Sequence, residues 1–332
     1  MSFTILDSIR HQHAGTQKDM FGLDVLTGFS SKPKFLASKY FYDAKGSELF
    51  KKITETKEYY PTRCEFEIFN NQKDNIVGEL PAEFSLIELG AGDGRKTRVL
   101  LKEMFKQKKK FEYLPIDISK SAIEEMTENF KSEYAPDLKM HGVVGEYIEG
   151  LRWVKENRDK PKVVLFLGSN LGNFNETQAI VFLRTIWNSL AAGDIFIMGV
   201  DLKKDIDVML DAYNDAGKVT SAFNLNVLTR INTELDANFD ISKYQHFGTY
   251  NPKLGAMESY IISMVDQEVS IGFLKKKFRF KSFEPIHMEY SHKYSEQDIE
   301  FLAKETGFKI DNSFSDSKKY FTDFLFQVTK ED

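Results

Sequence analysis

The chain is poor in cysteine, tryptophan and proline, with one, two and eight among 332 residues. A single cysteine, Cys64, leaves no partner for an intramolecular disulfide and no thiolate cluster for a metal, which fits a reducing, cytoplasmic setting. No run of about 18 apolar residues occurs, and residues 1–10 lack the uninterrupted apolar stretch of a signal peptide. Neither a membrane span nor an export leader is expected. A basic excess is missing as well: 45 Lys and Arg stand against 50 Asp and Glu, a net charge of −5, so a nucleic acid is not the expected partner. Histidines are few and show no ligand spacing. His11 and His13 form an isolated H-x-H, and His141, His246, His287 and His292 stand apart. With no paired-histidine helix, G-x-S-x-G elbow or P-loop, no metal is expected.

Apolar and aromatic residues are plentiful. The chain is 42% hydrophobic, with 29 Phe and 14 Tyr, enough for a large core and too apolar for disorder or a fibrous architecture. The length exceeds the ~100–200 residues of one typical domain. Lysines at 106–110 and 275–281 read as solvated surface.

From about residue 80, strand-like segments (84–89, 113–118, 140–144, 162–167 and 195–202) alternate with helical stripes, the signature of a parallel sheet with helices on both faces. The alternation breaks after 203 into one or two helices, the clearest at 219–235, and strand-like pieces at 246–250, 257–264 and 278–280. It resumes with a helix at 295–306 and strands at 308–314 and 320–328. The expected fold is α/β: a doubly wound sheet domain (80–203 plus 290–332) interrupted by an α+β lobe (204–289). A helical segment, 1–79, precedes it and contributes to the site.

The first strand runs into Glu88-Leu89-Gly90-Ala91-Gly92-Asp93-Gly94. Glycines at a strand end let the backbone turn and approach a ligand closely. A dinucleotide fingerprint requires a sixth-position glycine, where this chain has Arg95. An acid before the loop, with Asp117 near the ~20-residue offset at which a carboxylate meets ribose hydroxyls, suits a nucleoside without pyrophosphate. That is the arrangement of S-adenosylmethionine enzymes. Glu146-Tyr147 and the loop 168–173 follow the third and fourth strands on the same sheet edge. Glu146 suits an adenine amine, and Asn173 either faces the transferred methyl or caps the next helix.

Several ordered stretches together resemble the L-histidine Nα-methyltransferase family of ergothioneine biosynthesis, a class I S-adenosylmethionine-dependent group. They are Lys39-Tyr40-Phe41-Tyr42-Asp43 with Gly46-Ser47-Glu48-Leu49-Phe50, Glu58-Tyr59-Tyr60-Pro61-Thr62-Arg63, the glycine loop, and Phe166-Leu167-Gly168-Ser169 with Gly172-Asn173. Asp211-Ala212-Tyr213-Asn214-Asp215 and Phe223-Asn224-Leu225-Asn226-Val227-Leu228 complete the set. The resemblance implies a class I, Rossmann-like fold with an inserted substrate lobe. It implies S-adenosylmethionine contacts at Tyr59, Gly90, Lys96, Asp117, Glu146 and Tyr147, and substrate contacts at Tyr42, Asn173, Tyr213, Met257, Glu289 and Ser291. Tyr42, Asn173 and Tyr213 would act at the reacting end, with Asn173 and Tyr213 holding the carboxylate and α-amine. Glu289 and Ser291 would read the imidazole. Departures are the AGDG loop and Glu146-Tyr147 where Asp-Phe is common.

The expected activity is threefold methylation of the α-amine of L-histidine to hercynine, by a cytoplasmic, monomeric enzyme that uses neither nucleic acid nor membrane. Two alternatives stand beside it. One is N-methylation of another aromatic amino acid or amine; the other is a non-catalytic sensor of the cofactor or an amino acid.

Overall fold

The protein is described by a computed structural model covering residues 1–6 and 14–330, so His11 and His13 lie outside the described residues. Its strands run in chain order β1 (Ser2–Ile5), β2 (Lys34–Phe35), β3 (Glu83–Leu89), β4 (Lys110–Asp117), β5 (Lys139–Val144), β6 (Lys162–Phe166) and β7 (Ile195–Asp201). They continue as β8 (Tyr244–Asn251), β9 (Ala256–Ser263), β10 (Gln267–Ile271), β11 (Lys276–Phe280), β12 (Pro285–His292), β13 (Phe308–Ser315) and β14 (Phe321–Val328). Two compact units emerge: Met1–His11, Pro61–Lys203 and Tyr294–Asp332 form the first, and Gln12–Tyr60 with Lys204–Lys293 the second.

The first unit is built on one sheet in the order β1-β5-β4-β3-β6-β7-β14-β13. Only β14 runs against its neighbours, pairing antiparallel with both β7 and β13. β6 and β7 are buried along their whole length, as expected for strands covered on both faces. The helices present apolar stripes to the sheet: Leu100, Leu101 and Met104 on Arg95–Lys106, and Ile123, Met126 and Phe130 on Lys120–Tyr134. Each fully buried side chain of this size contributes roughly 1.5–3 kcal/mol. Chain direction across the sheet reverses at β3: β4 and β5 follow on one side, β6 and β7 on the other. Open sheets of this kind bind ligands at the strand ends beside such a reversal.

The second unit has a four-stranded sheet, β2-β12-β9-β8, and the hairpin β10-β11. Helices Ala14–Ser30, Ala44–Glu55, Ile206–Tyr213 and Val219–Leu235 belong to it. Its core is phenylalanine-rich: the Phe29 ring centroid lies 5.8, 5.5 and 5.3 Å from those of Phe239, Phe278 and Phe280. Much of the aromatic surplus is therefore packing.

The chain is partitioned differently from the expected layout. Residues before 80 serve both units, because helix Pro61–Gly78 packs on the first sheet while 12–60 joins the second unit. β12 runs straight through the expected boundary at 290, so the second unit reaches Lys293. β1 was not expected, being four residues long and lacking turn signals around it. It pairs in parallel with β5, where the Ser2 and Thr4 hydroxyls lie 2.8 and 2.9 Å from the two His141 ring nitrogens.

Candidate active site

In the first unit, the loop after β3 turns with positive φ at Gly90 and Gly94, 74° and 66°, a region L side chains rarely enter. A methyl group on Gly90 would lie 2.8 Å from the Tyr147 hydroxyl, so Tyr147 stands against the bare backbone there. Asp117, at the end of β4, accepts from the Gly92 N–H at 3.1 Å and the Ser119 N–H at 2.9 Å. Burial pushes its carboxyl upward, and these two N–H groups oppose the shift. Glu146 is exposed at the start of helix Tyr147–Asn157 and spends nothing on capping it. Gly90, Asp117, Glu146 and Tyr147 thus meet at one sheet edge. An acid-rich, glycine-floored edge suits a cationic nucleoside better than a pyrophosphate.

Glu88 differs from its expected role. It is buried, accepts a hydrogen bond from the Tyr113 hydroxyl, and desolvation raises its carboxyl to about 7. It braces the strand from inside rather than facing a ligand.

The loop after β6 is held at two points. Glu65, on Pro61–Gly78, accepts from the Gly168 N–H at 2.8 Å, and the Ser169 hydroxyl accepts from the Asp201 N–H at 2.8 Å. The second Glu65 oxygen pairs with the ammonium of Lys96. Asn173, exposed at the end of the turn Asn170–Asn173, is not the helix cap. Asn175 fills that role, exchanging hydrogen bonds of 2.9 and 3.0 Å with Gln178 in a capping box. Asn173 is left available for a ligand.

In the second unit, register decides which side chains share a face. Met257 stands opposite Ser291 and Ser259 opposite Glu289 across the antiparallel β9–β12 pair. A bulge between His287 and Glu289 switches the alternation, so Ile286 and Met288 enter the core before it, and Glu289 and Ser291 share that face after it. His287, Tyr290 and His292 lie side by side on the other face, their rings tilted to one another with successive centroids 4.0 and 5.9 Å apart. Glu289 keeps some accessible surface, yet protein surrounds it closely enough that desolvation raises its carboxyl to about 7, against the pull of Lys293.

Tyr213 ends helix Ile206–Tyr213, braced by the residues that follow it. Asn214 brackets Gly248 on β8, accepting from its N–H and donating to its carbonyl, both at 3.0 Å. Asp215 accepts from the Val219 and Thr220 N–H groups at 2.7 and 2.8 Å, holding the start of Val219–Leu235. Tyr42 is 45% exposed, its ring edge-on to Phe50 and Phe223 at 5.6 and 5.7 Å. Its neighbour Asp43 accepts from the Gly46 N–H at 2.7 Å and from Asn226 at 2.9 Å, which explains two of the matched stretches structurally. Tyr59 also belongs to the second unit, 6.3 Å from Phe50, whereas the other five expected cofactor residues belong to the first.

The profile of a family described as histidine-specific, SAM-dependent methyltransferase matches residues 21–328. The chain belongs to that family. It is 33% identical to histidine N-alpha-methyltransferase of Mycolicibacterium smegmatis over 88% of this chain and 90% of that one. The protein of the same name from Mycobacterium tuberculosis is 34% identical over 83% and 85%. Ergothioneine biosynthesis protein 1 of Neurospora crassa is 30% identical over 87% of this chain and 32% of that longer one. For this methyltransferase, S-adenosylmethionine is the cofactor and the doubly wound sheet its class I frame. Among the described residues, no helix is long and apolar enough to cross a membrane.

Residues that sequence reading passed over are Glu65, Asp323 and Lys293. Nothing local marks them, since each is a charged residue in an ordinary helix or strand context. Their burial, at 0, 0 and 3% exposure, is what singles them out.

Proposed function

We propose that this methyltransferase transfers methyl groups from S-adenosylmethionine to the α-amine of L-histidine, in three rounds, giving hercynine on the way to ergothioneine. The observation that carries the reading is the pairing of a carboxyl and a hydroxyl, Glu289 and Ser291, on one face of β12 in a chain of the histidine-specific family. A neutral imidazole offers one N–H and one bare nitrogen, which an acceptor and a donor two residues apart can meet.

The cofactor, when bound, supplies a methyl on a sulfonium. Gly90 and Asp117 hold its nucleoside, Glu146 and Tyr147 the adenine, and Lys96 and Tyr59 complete its contacts. Asn173 and Tyr213 hold the amino acid's carboxylate and α-amine, and Tyr42 orients that amine. In each round the amine lone pair takes the methyl and S-adenosylhomocysteine leaves, with no covalent intermediate. The ammonium formed in each of the first two rounds gives a proton to water before the next, so catalysis is mostly positioning of a neutral amine, which can supply about 7–11 kcal/mol. Tyrosine faces also tolerate the growing positive charge of the product. The single cysteine fits a reducing, cytoplasmic setting.

Competition between amino acids tests the substrate. Histidine should show saturable turnover, and phenylalanine should be rejected by up to ~10⁴–10⁵, because its ring leaves the buried Glu289 unpaired. Equal rates would place the enzyme on aromatic amino acids at large. Calorimetric binding of both ligands without turnover would make the protein a sensor.

A further inference from the structure

Lys293 is a buried cation, 3% exposed, just beyond β12. Its backbone N–H donates to the Gly255 carbonyl at 2.9 Å, which fixes the end of the strand. Its ammonium donates to the Ser291 hydroxyl at 2.9 Å and to the Tyr213 hydroxyl at 3.0 Å. The same ammonium lies 4.9 Å from the Tyr213 ring centroid. One cation therefore joins a residue assigned to the imidazole with one assigned to the amino acid's polar end.

An ammonium has three donors and no acceptor, whereas a hydroxyl has one proton and lone pairs to give. Both hydroxyls must spend a lone pair on Lys293, and its charge turns their protons away from it. We propose that Lys293 is a positioning residue that sets Ser291 and Tyr213 as hydrogen-bond donors, so that the site admits histidine with a neutral imidazole. This rests on the histidine reading and specifies the form of the substrate. The bare ring nitrogen accepts from Ser291, the ring N–H donates to Glu289, and the carboxylate accepts from Tyr213. An imidazolium would bring a second cation beside Lys293 and set an N–H against the Ser291 proton. The positive charge of Lys293 also favours the ionised, accepting form of Glu289 against its burial.

The direct test uses the unaltered protein, with ring-¹⁵N-labelled histidine and S-adenosylhomocysteine at pH 6, where free histidine is partly protonated. The bound ring should show one protonated and one bare nitrogen by NMR; two protonated nitrogens overturn the proposal. Variants supply a second arm, read by calorimetry. Lys293→Gln, which can accept as well as donate, should weaken histidine binding about 10–100-fold. S-adenosylhomocysteine affinity should stay within twofold, and Lys293→Arg should recover most of the histidine loss. Ser291→Ala should cost little more on the Lys293→Gln background. Histidine affinity within twofold of the unaltered protein in Lys293→Gln overturns the proposal, as does a full, additive cost for Ser291→Ala. If Lys293→Gln does not fold, the labelled-histidine spectrum decides alone. Absence of histidine binding by the unaltered protein would instead defeat the histidine reading itself.

Discussion

Glu65 accepts the backbone N–H of Gly168 at 2.8 Å, although the two residues lie 103 positions apart in the chain. Its second oxygen is paired with Lys96, so one buried carboxylate ties helix Pro61–Gly78 to the segments that follow β3 and β6. Both segments carry residues assigned to ligands, Lys96 and Asn173.

Glu65→Ala should therefore destabilise the fold and loosen the cofactor. Breaking a buried pair from one side costs about 3–5 kcal/mol. Lys96 keeps 24% of its side chain exposed, so water recovers part of this and the lower end, about 3 kcal/mol, is expected. Urea unfolding measures the loss; a value below ~1 kcal/mol would mean that the pair is not a structural tie.

Asp323 is the companion case. It is fully buried, neither carboxyl oxygen meets a donor, and a methyl on Gly199 would lie 3.0 Å from Asp323 Oδ1 and 2.6 Å from Glu65 Oε1. Burial, then the neighbouring Glu65 charge, hold its carboxyl well above the usual range, so it is protonated in the fold and can donate to Glu65. The folded state keeps a proton that the unfolded chain releases above about pH 4, and stability falls as pH rises from there towards the folded pKa. Asp323→Asn should flatten that decline between pH 5 and 8 and melt at least as high as the parent at pH 8. A deficit that grows with pH would contradict the assignment.

The alternating sheet was legible because its strands are short apolar runs and its helices carry clean stripes; β6 and Glu176–Ser189 show both signals plainly. The glycine turn after β3 and the placement of Asp117 at the end of β4 were legible for the same local reason. What could not be read is non-local. The bulge in β12 that aligns Glu289 with Ser259 depends on pairing with β9, and the Lys293 ammonium meets Tyr213, 80 residues away. Glu88 was misread because the inward turn of its side chain depends on Tyr113 in the next strand.

Glu289→Gln should weaken histidine binding while leaving cofactor binding nearly intact. An amide keeps an oxygen acceptor but loses the charge, so a loss of about 10–100-fold is expected. Equal weakening of both ligands would point to a structural role.

Burial raises the Glu289 carboxyl to about 7, and its ionised form would accept the proposed imidazole N–H far more strongly than its protonated form. Its ionised fraction falls with decreasing pH, so kcat/KM for histidine, already falling as the α-amine is protonated, should steepen by up to a further tenfold per unit below about 7. Cofactor affinity should not follow the same curve. A profile with the same slope above and below pH 7 would place the imidazole elsewhere.

Asp117→Ala should act in the opposite sense to Glu289→Gln, weakening S-adenosylmethionine by about tenfold or more with histidine affinity nearly unchanged. Calorimetry with each ligand separates the two. Unaltered cofactor affinity would leave Asp117 only its backbone contacts to Gly92 and Ser119.

The central claim is settled most directly by the product. Protein, S-adenosylmethionine and L-histidine are incubated together, and the amino acid is weighed by mass spectrometry, with fragmentation locating the added mass. The expected product has gained three methyl groups, all on the α-nitrogen. No gain in mass, or methyl groups on the ring, would contradict it.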